Sequence, residues 1–597
     1  MIKQKKENLR IVLRVLAAAA VILLEWYALE RSITPPEAIA RRAFVSTLVS
    51  ICTVAALSGF AGLICGRLSL TLGVTGVLCA LVSVANYYVN SLHGSPLRIS
   101  EIASFGTAMD VIGGFRIQIP PYVRIVILGM TAALALLILL RRFLNAHKGR
   151  VTRLVFAGVL AASVGVVALG FSGQLRPFIG YSWDYAASLY GYPACLVEDT
   201  LEFHSRIIRP EGYSAEKVDE IADRLHVTSA ASKQLPDVIL ILNETFYDPA
   251  VYEALELEVN RDYLAFYHSL NTAARGYAVV PYGGTNSSEY EMLTSNSKTL
   301  INPSAPFNIF DLSNANSVVS YLQKLGYETW AMHSQSGSNY SRSRAYAELG
   351  FDHILFQDDF AYRDKYGNRY RTDAGDYKTL IDCYEASQSG PRFLYILTYQ
   401  NHGGYEQNPS GWDTIHTKTD LGELTDDMDE FLTSIAMSDA ALKGLLDYFK
   451  DCGRPVVVIM AGDHPPAFVT EQGGTYDAEH LDAAHVRMNG TPYLVWCSDR
   501  SIRTAPELIT LSDLVPMALK MAGVPLSVYY QAILNLQRQQ PVHVSGLSLN
   551  TKGAVVPRNV TEDPDGPLNT YLYLEYNNLQ DGAERRQALF DPPGKTS

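Results

Sequence analysis

The chain has 597 residues, with 49 Lys+Arg against 61 Asp+Glu and a formal net charge of −12. That length exceeds one ordinary domain, and the acidic balance excludes the basic footprint of a nucleic-acid binder as well as electrostatic docking onto anionic lipid. The 7 cysteines include no CxxC pair, which speaks against both a thiolate zinc site and a disulfide framework.

Five apolar stretches come first, at 11–29, 44–65, 68–89, 123–140 and 154–171. Each is long enough to cross about 30 Å of hydrocarbon. The first does not read as a cleaved signal peptide, because no small-residue cleavage site precedes the next span. Lys3, Lys5, Lys6 and Arg10 precede the first span, and Arg141, Arg142, Lys148, Arg150 and Arg153 follow the fourth. The positive-inside rule puts both groups in the cytoplasm, against a weaker opposite signal from Arg41 and Arg42. Five spans from a cytoplasmic start place everything beyond Phe171 outside. The segment 98–122, with its Gly-Gly and Pro-Pro pairs, reads as irregular and external. The expected division is therefore a transmembrane domain at 1–173, an interfacial linker at 174–234 and an extracellular domain at 235–597. The linker carries Tyr181, Trp183, Tyr185, Tyr190 and Tyr192, which suit a membrane interface or ordinary packing equally.

From residue 236 onward, short β-rich runs at 237–242, 277–280, 328–332, 393–398, 455–460 and 492–496 alternate with helical patterns. The helices are expected at 287–295, 317–325, 377–386, 428–451 and 512–521. Such alternation predicts an α/β sheet covered by helices. Chemically capable residues gather just after the strands: Glu244 after DVILILN, His333 after ETWAM, His402 after FLYILTYQN, and Asp463 with His464 after PVVVIMAG. Open α/β sheets place their sites beyond the carboxyl ends of strands, so these residues predict a constellation.

Glu244, Asp463 and His464 suit one divalent cation, Mn²⁺, Mg²⁺ or Zn²⁺. Thr285 follows two glycines and opens a helix in PYGGTNSSEYEMLT. It is either an N-cap or a hydroxyl held at an anion-favouring helix end. A threonine hydroxyl becomes a nucleophile only when a metal lowers its pKa or a base takes its proton. Arg342, in MHSQSGSNYSRSR, has the planar fork that fits phosphate oxygens. His333 and His402 either serve phosphate chemistry or are satisfied loop histidines.

The soluble part resembles the lipoteichoic acid synthase family of the alkaline phosphatase/sulfatase superfamily. The resemblance runs from about residue 210 to the end, through PEGYSAEKVDEI, VILILNETFYDP, GGTNSSEYEMLT, MHSQSGSNYSRSRAYAELGFD, LTYQNHGGY, AGDHPP and TPYLVWCS. It implies a five-helix membrane bundle followed by an extracellular α/β domain of alkaline phosphatase/sulfatase type. It also implies a phosphoglycerol transferase in the cell membrane, acting on phosphatidylglycerol with a glycolipid or polyol acceptor. By the same resemblance Thr285 is the nucleophile, and Glu244, Thr285, Asp463 and His464 hold one Mn²⁺. His333, Tyr340, Arg342 and His402 fall where the family holds phosphate and glycerol; the family often carries Trp where Tyr340 stands. No cysteine lies in a C-x-P-x-R sequence, which excludes a formylglycine-dependent sulfatase. A hydrolase that uses water as acceptor, and a non-catalytic envelope scaffold, stay open as alternatives.

Overall fold

The computed structural model of the chain describes residues 2–93, 96–98, 119–145, 150–173, 187, 189–202, 207, 209–225, 234–281, 284–298, 306–365, 370–387, 390–405, 412–466, 469, 483–502, 504–544, 547–556, 565–579 and 585–594. Tyr181, Trp183, Tyr185 and most of the 98–122 segment lie outside these residues. The chain forms two compact units: one takes in residues 1–99 and 117–204, the other 205–474 and 479–597.

Five helices dominate the first unit: α1 (Ile2–Arg31), α2 (Phe44–Cys65), α3 (Leu68–His93), α4 (Pro121–Leu144) and α5 (Arg150–Gly173). Each contains a window long and apolar enough to cross a membrane. Many of their large side chains are exposed, among them Leu128, Leu139, Leu154 and Leu169. Such a surface is compatible with lipid and not with water. α2 and α5 pack backbone to side chain: a Cβ on Gly62 would lie 2.2 Å from the Phe156 ring. Small residues allow such close approach in membrane bundles. Glu30 is fully buried near the end of α1 and pairs with Arg42 at 2.8 Å. It also accepts from Trp26 and Ser50. A buried charge needs such partners.

The second unit is built on an eight-stranded sheet. Its strands are β1 (Asp237–Asn243), β2 (Arg275–Val279), β3 (Glu328–His333), β4 (His353–Leu355), β5 (Arg392–Leu397), β6 (Val456–Gly462), β7 (Gly490–Cys497) and β8 (Leu508–Thr510). Their order is β4-β3-β5-β1-β6-β7-β2-β8. Only β7 runs against the rest. β1 is buried along its whole length, as a strand covered on both faces must be. Val238, Leu240 and Leu242 face one apolar cluster, whereas Ile239 and Ile241 face the other. The two-residue alternation of a strand sends successive side chains to opposite layers. A small antiparallel sheet, β9 (Val542–Val544), β10 (Leu547–Leu549) and β11 (Val555–Val556), completes the unit.

The helices that bear on the site are α6 (Thr285–Thr294), α7 (Arg342–Leu349), α8 (Asp373–Ala386) and α9 (Thr425–Lys450). α8 starts where Thr372 accepts from Gly375 N, a normal N-cap. The stretch 174–234 is shared between the units. Helix Tyr192–Glu202 belongs to the first. Helix Ala215–Arg224 belongs to the second, where the preceding Tyr213 packs edge-on to Tyr573 and Tyr576.

Candidate active site

β1 and β6 are parallel neighbours with Asn243 opposite Gly462. Glu244 and Asp463 therefore leave adjacent strands at the same height. Glu244, Asp463 and His464 present ligand atoms that all lie within 4.8 Å of one another. His464 Nε2 is 3.4 Å from Glu244 Oε1 and 3.4 Å from Asp463 Oδ2. Its Nδ1 lies 2.9 Å from the Pro465 carbonyl, which only accepts. Nδ1 therefore carries a proton. Against the effect of burial, the Asp463 charge and the Glu244 hydrogen bond raise the imidazole to about 10. Nε2 is thus protonated too and faces both carboxylates, and a bound cation would take the place of that Nε2 proton.

Both acids are buried. Asp463 Oδ1 accepts from Thr245 N at 2.6 Å and His464 N at 2.8 Å. Its Oδ2 accepts no hydrogen bond. An orphaned, buried carboxylate oxygen beside a second carboxylate and an imidazole fits a divalent cation of oxygen-rich preference. The titration of the pair agrees. Burial raises the Asp463 carboxyl, and the Glu244 charge raises it further. Burial also opposes ionisation of Glu244, but the His464 hydrogen bond and the charges of His402 and His464 outweigh it and hold Glu244 below its ordinary value. Two carboxyls this close retain a proton between them unless a cation takes its place.

Thr285 is the first residue of α6. The N-cap is Gly284, at φ 69° and ψ −164°, and makes no side-chain cap. Glycine reaches this backbone region without a Cβ penalty. The Thr285 hydroxyl is thus not spent on capping. It points to Glu244 Oε2 at 3.5 Å. One helical turn on, the Ser288 hydroxyl donates to the Asp463 carbonyl at 2.5 Å, which ties the helix start to the loop after β6.

A second group lies on the β3–β5 side. His333 closes β3, and its Nδ1 is 3.0 Å from the Leu397 carbonyl. Nδ1 donates there, so Nε2 is left to face Arg342 Nη1 at 3.5 Å. Burial, and then the Arg342 charge, push His333 down to about 3, so the ring is neutral at physiological pH. Arg342 opens α7 and is itself buried. Its Nε donates to Glu289 Oε2 at 2.9 Å. Glu289 also accepts from the Tyr346 and Tyr395 hydroxyls. Tyr340 and Ser341 adopt φ 52° and 56°, and the Tyr340 ring lies 5.1 Å from the Arg342 guanidinium. His402 stacks on Tyr399 at 4.5 Å. Tyr399 meets His333 edge-on at 5.9 Å, and Tyr370 meets His402 at 5.6 Å.

The structure thus brings Glu244, Thr285, Asp463 and His464 into one cluster and His333, Tyr340, Arg342 and His402 into another. Glu244 of the first cluster acts on His333 and is acted on by His402 of the second, so the two adjoin. Sequence reasoning missed Glu289 and the Tyr370–Tyr399 wall. Glu289 was discoverable, since four residues separate it from Thr285 on one helix, and such pairs share a face.

Residues 236–524 match the family model described as Sulfatase. A Rhizobium meliloti (strain 1021) protein with the provisional name cyclic beta-1,2-glucan modification protein is 25% identical over 325 residues, 53% of this chain and 50% of that one. The capsular polysaccharide biosynthesis protein RkpI of the same organism is 27% identical over 146 residues, 24% of this chain and 25% of that one. The chain thus spans half the length, or less, of these curated relatives. The phosphoglycerol transferase GacH of Streptococcus pyogenes, solved with sn-glycerol-1-phosphate, superposes with a TM-score of 0.53 at 20% identity, over 65% of this chain and 99% of that one. The integral membrane lipooligosaccharide phosphoethanolamine transferase EptA of Neisseria meningitidis superposes with a TM-score of 0.50 at 13% identity, over 84% of this chain and 95% of that one. The match is to residues 236–524, which form a sulfatase-type α/β domain, and both solved structures share this fold.

Proposed function

We propose that the chain is a membrane-anchored phosphotransferase that moves phosphoglycerol from phosphatidylglycerol to a glycolipid or polyol acceptor in cell-envelope polymer synthesis. One observation carries the reading. An uncapped threonine hydroxyl at a glycine-led helix start faces Glu244, beside a buried carboxylate–imidazole cluster. The GacH likeness, with its bound glycerol phosphate, supports the choice of transferred group.

Glu244, Thr285, Asp463 and His464 would hold one divalent cation, Mn²⁺ by preference, which would lower the hydroxyl pKa and offset phosphoryl charge. Thr285 Oγ attacks phosphorus, and the bond to the diacylglycerol oxygen breaks. Arg342 and the α6 N-terminus face the phosphoryl oxygens, where donors are most effective as charge builds. His402, at the aromatic wall, gives a proton to the leaving diacylglycerol. It recovers one from the acceptor hydroxyl, which then displaces Thr285 from phosphorus. Neutral His333 donates nothing from Nε2; it accepts from Arg342 and fixes the guanidinium plane. The basic N-terminus and the basic 141–153 loop support an external catalytic domain. External protease on intact cells should then remove it, whereas cleavage only after permeabilisation would reverse the orientation.

The test is product analysis with full-length enzyme in detergent and headgroup-labelled phosphatidylglycerol. The expected result is Mn²⁺-dependent diacylglycerol release with label passing to an added polyol, lost in Thr285→Ala. Label appearing only as free glycerol phosphate would make the enzyme a hydrolase. Full turnover by Thr285→Ala would refute the mechanism.

A further inference from the structure

Behind the site lies a buried polar layer that the chemistry above does not use. α8 carries two carboxylates in its first turn, Asp373 and Asp376, both fully buried. An acid buried this deeply is costly unless it is bonded to something that matters for the fold or the site. Asp373 Oδ2 accepts from Asn243 Nδ2 at 2.9 Å, and the same amide reaches the Tyr377 hydroxyl at 3.1 Å. The backbone N–H of Asp373 donates to Gln400 Oε1 at 3.0 Å. Asn243 Oδ1 accepts from Asn401 Nδ2 at 3.2 Å. Asp376 Oδ2 accepts from the Ser334 hydroxyl at 2.8 Å, while its Oδ1 is buried with no hydrogen-bond partner.

The partners are not scattered. Asn243 immediately precedes Glu244, Ser334 immediately follows His333, and Asn401 immediately precedes His402. They stand at the carboxyl ends of β1, β3 and β5, three adjacent strands of the sheet. Asn401 and Gln400 are anchored from the other side by Ser434 and Ser438 of α9. Thr398, just past β5, accepts from Glu244 N at 3.2 Å. Its side chain also lowers the Asp373 carboxyl, together with Ser438 and Asn243, against the larger opposing effect of burial. One helix turn thus reaches the residues next to Glu244 and His333 directly, and the residue next to His402 through Asn243.

We propose that Asp373 and Asp376 are positioning residues. Asp373 fixes the strand end that presents Glu244 to the cation, and Asp376, through Ser334, fixes the strand end that presents His333 and with it the Arg342 guanidinium. The two act on different functions. Asp373 governs how well the carboxylate cluster binds metal. Asp376 governs how well the phosphate side binds its ligand. A half-ångström loss of alignment at either end suffices to weaken a site whose members are held by single hydrogen bonds. The proposal rests on the reading of the cluster as a metal and phosphate site, and the test separates the two.

The test uses full-length protein in detergent, with Mn²⁺ affinity read by electron paramagnetic resonance and sn-glycerol-1-phosphate affinity read by calorimetry in saturating Mn²⁺. Asp373→Ala should weaken Mn²⁺ binding by about tenfold or more, since ligand-orienting partners have effects of that order. Asp373→Asn keeps an acceptor for Asn243 and should recover most of that loss. Ser334→Ala removes only a hydroxyl and should weaken glycerol phosphate binding about fivefold or more, with Mn²⁺ affinity unchanged. If Asp373→Ala fails to fold, Asn243→Ala interrupts the same tie and should give the same loss of Mn²⁺ affinity. Mn²⁺ affinity equal to wild type in folded Asp373→Ala, or in Asn243→Ala, would overturn the Asp373 role. Unchanged glycerol phosphate affinity in Ser334→Ala would overturn the Asp376 role. A wild type that binds Mn²⁺ and glycerol phosphate but transfers nothing would refute the proposed reaction and leave both positioning roles standing.

Discussion

Glu291 lies two helical turns into α6, buried, with Oε1 accepting from Lys298 N at 2.7 Å and Oε2 accepting nothing. Burial, the largest influence, raises its carboxyl to about 8 from 4.5. The folded chain therefore holds a proton that the unfolded chain loses between those values. Its contribution to stability is present in acid and falls as pH rises through that window, by up to ~1.4 kcal/mol per pH unit. Glu291→Gln stays neutral throughout, so its thermal stability should gain on wild type progressively from pH 5 to pH 8. Parallel melting curves at all pH values would contradict this. Arg342 gives a second expectation. Its Nε is committed to Glu289 while its remaining nitrogens face His333 and the site. A lysine ammonium cannot serve both directions, so Arg342→Lys should lower kcat/KM by about tenfold or more. Unchanged kinetics would reduce Arg342 to a structural ion pair with Glu289. The sequence exposed Arg342 because arginine beside histidine in a glycine- and serine-rich turn has an obvious chemical use. Glu289 had one mark in the sequence, its place a turn after Thr285, and that mark was weak because an acid inside a helix looks like any solvated acid until the fold buries it.

At the scale of elements, the start of α6 concentrates the most function in the fewest residues. Gly284 holds φ 69°, with nothing within 4 Å of an added Cβ. Gly284→Ala therefore meets no neighbouring residue, and its cost is conformational, about 1–3 kcal/mol, because φ 69° with ψ −164° is a region essentially reserved for glycine. Because relief of that strain turns the first helical residue, activity should fall more than stability does, measured as kcat against melting temperature. Equal activity in the variant would mean that the aim of Thr285 does not depend on this glycine. The strands that carry the site were legible because β1, β5 and β6 are apolar on both faces and too short for helices. β4, β8 and the β9–β11 sheet were not, because two or three residues carry no readable period. The reversed direction of β7 was also hidden; direction is a property of connections and leaves no mark on a strand's own residues. The Asp373 turn escaped notice for a related reason. Its start signal, Thr372, is a common cap, and nothing local shows that the acids after it point inward.

At the scale of the whole molecule, two kinds of physics divide the chain. The five spans were legible because about twenty consecutive apolar residues have few other uses, and the helices fall on the expected stretches. The polar pairs inside that unit, such as Glu30 with Arg42, were not, because pairing depends on how the helices meet. A net charge of −12 gives the chain no electrostatic attraction to anionic lipid, so under the proposed function the apolar helices are what hold the enzyme at its lipid substrate. Whether Thr285 carries the group in transit is read by acid-quenching enzyme mixed with phosphatidylglycerol and mapping its peptides by mass spectrometry. Glycerol phosphate should appear on the peptide containing Thr285, be absent from Thr285→Ala and be discharged when an acceptor is added. Wild-type enzyme that turns over with no adduct on that peptide would contradict that role.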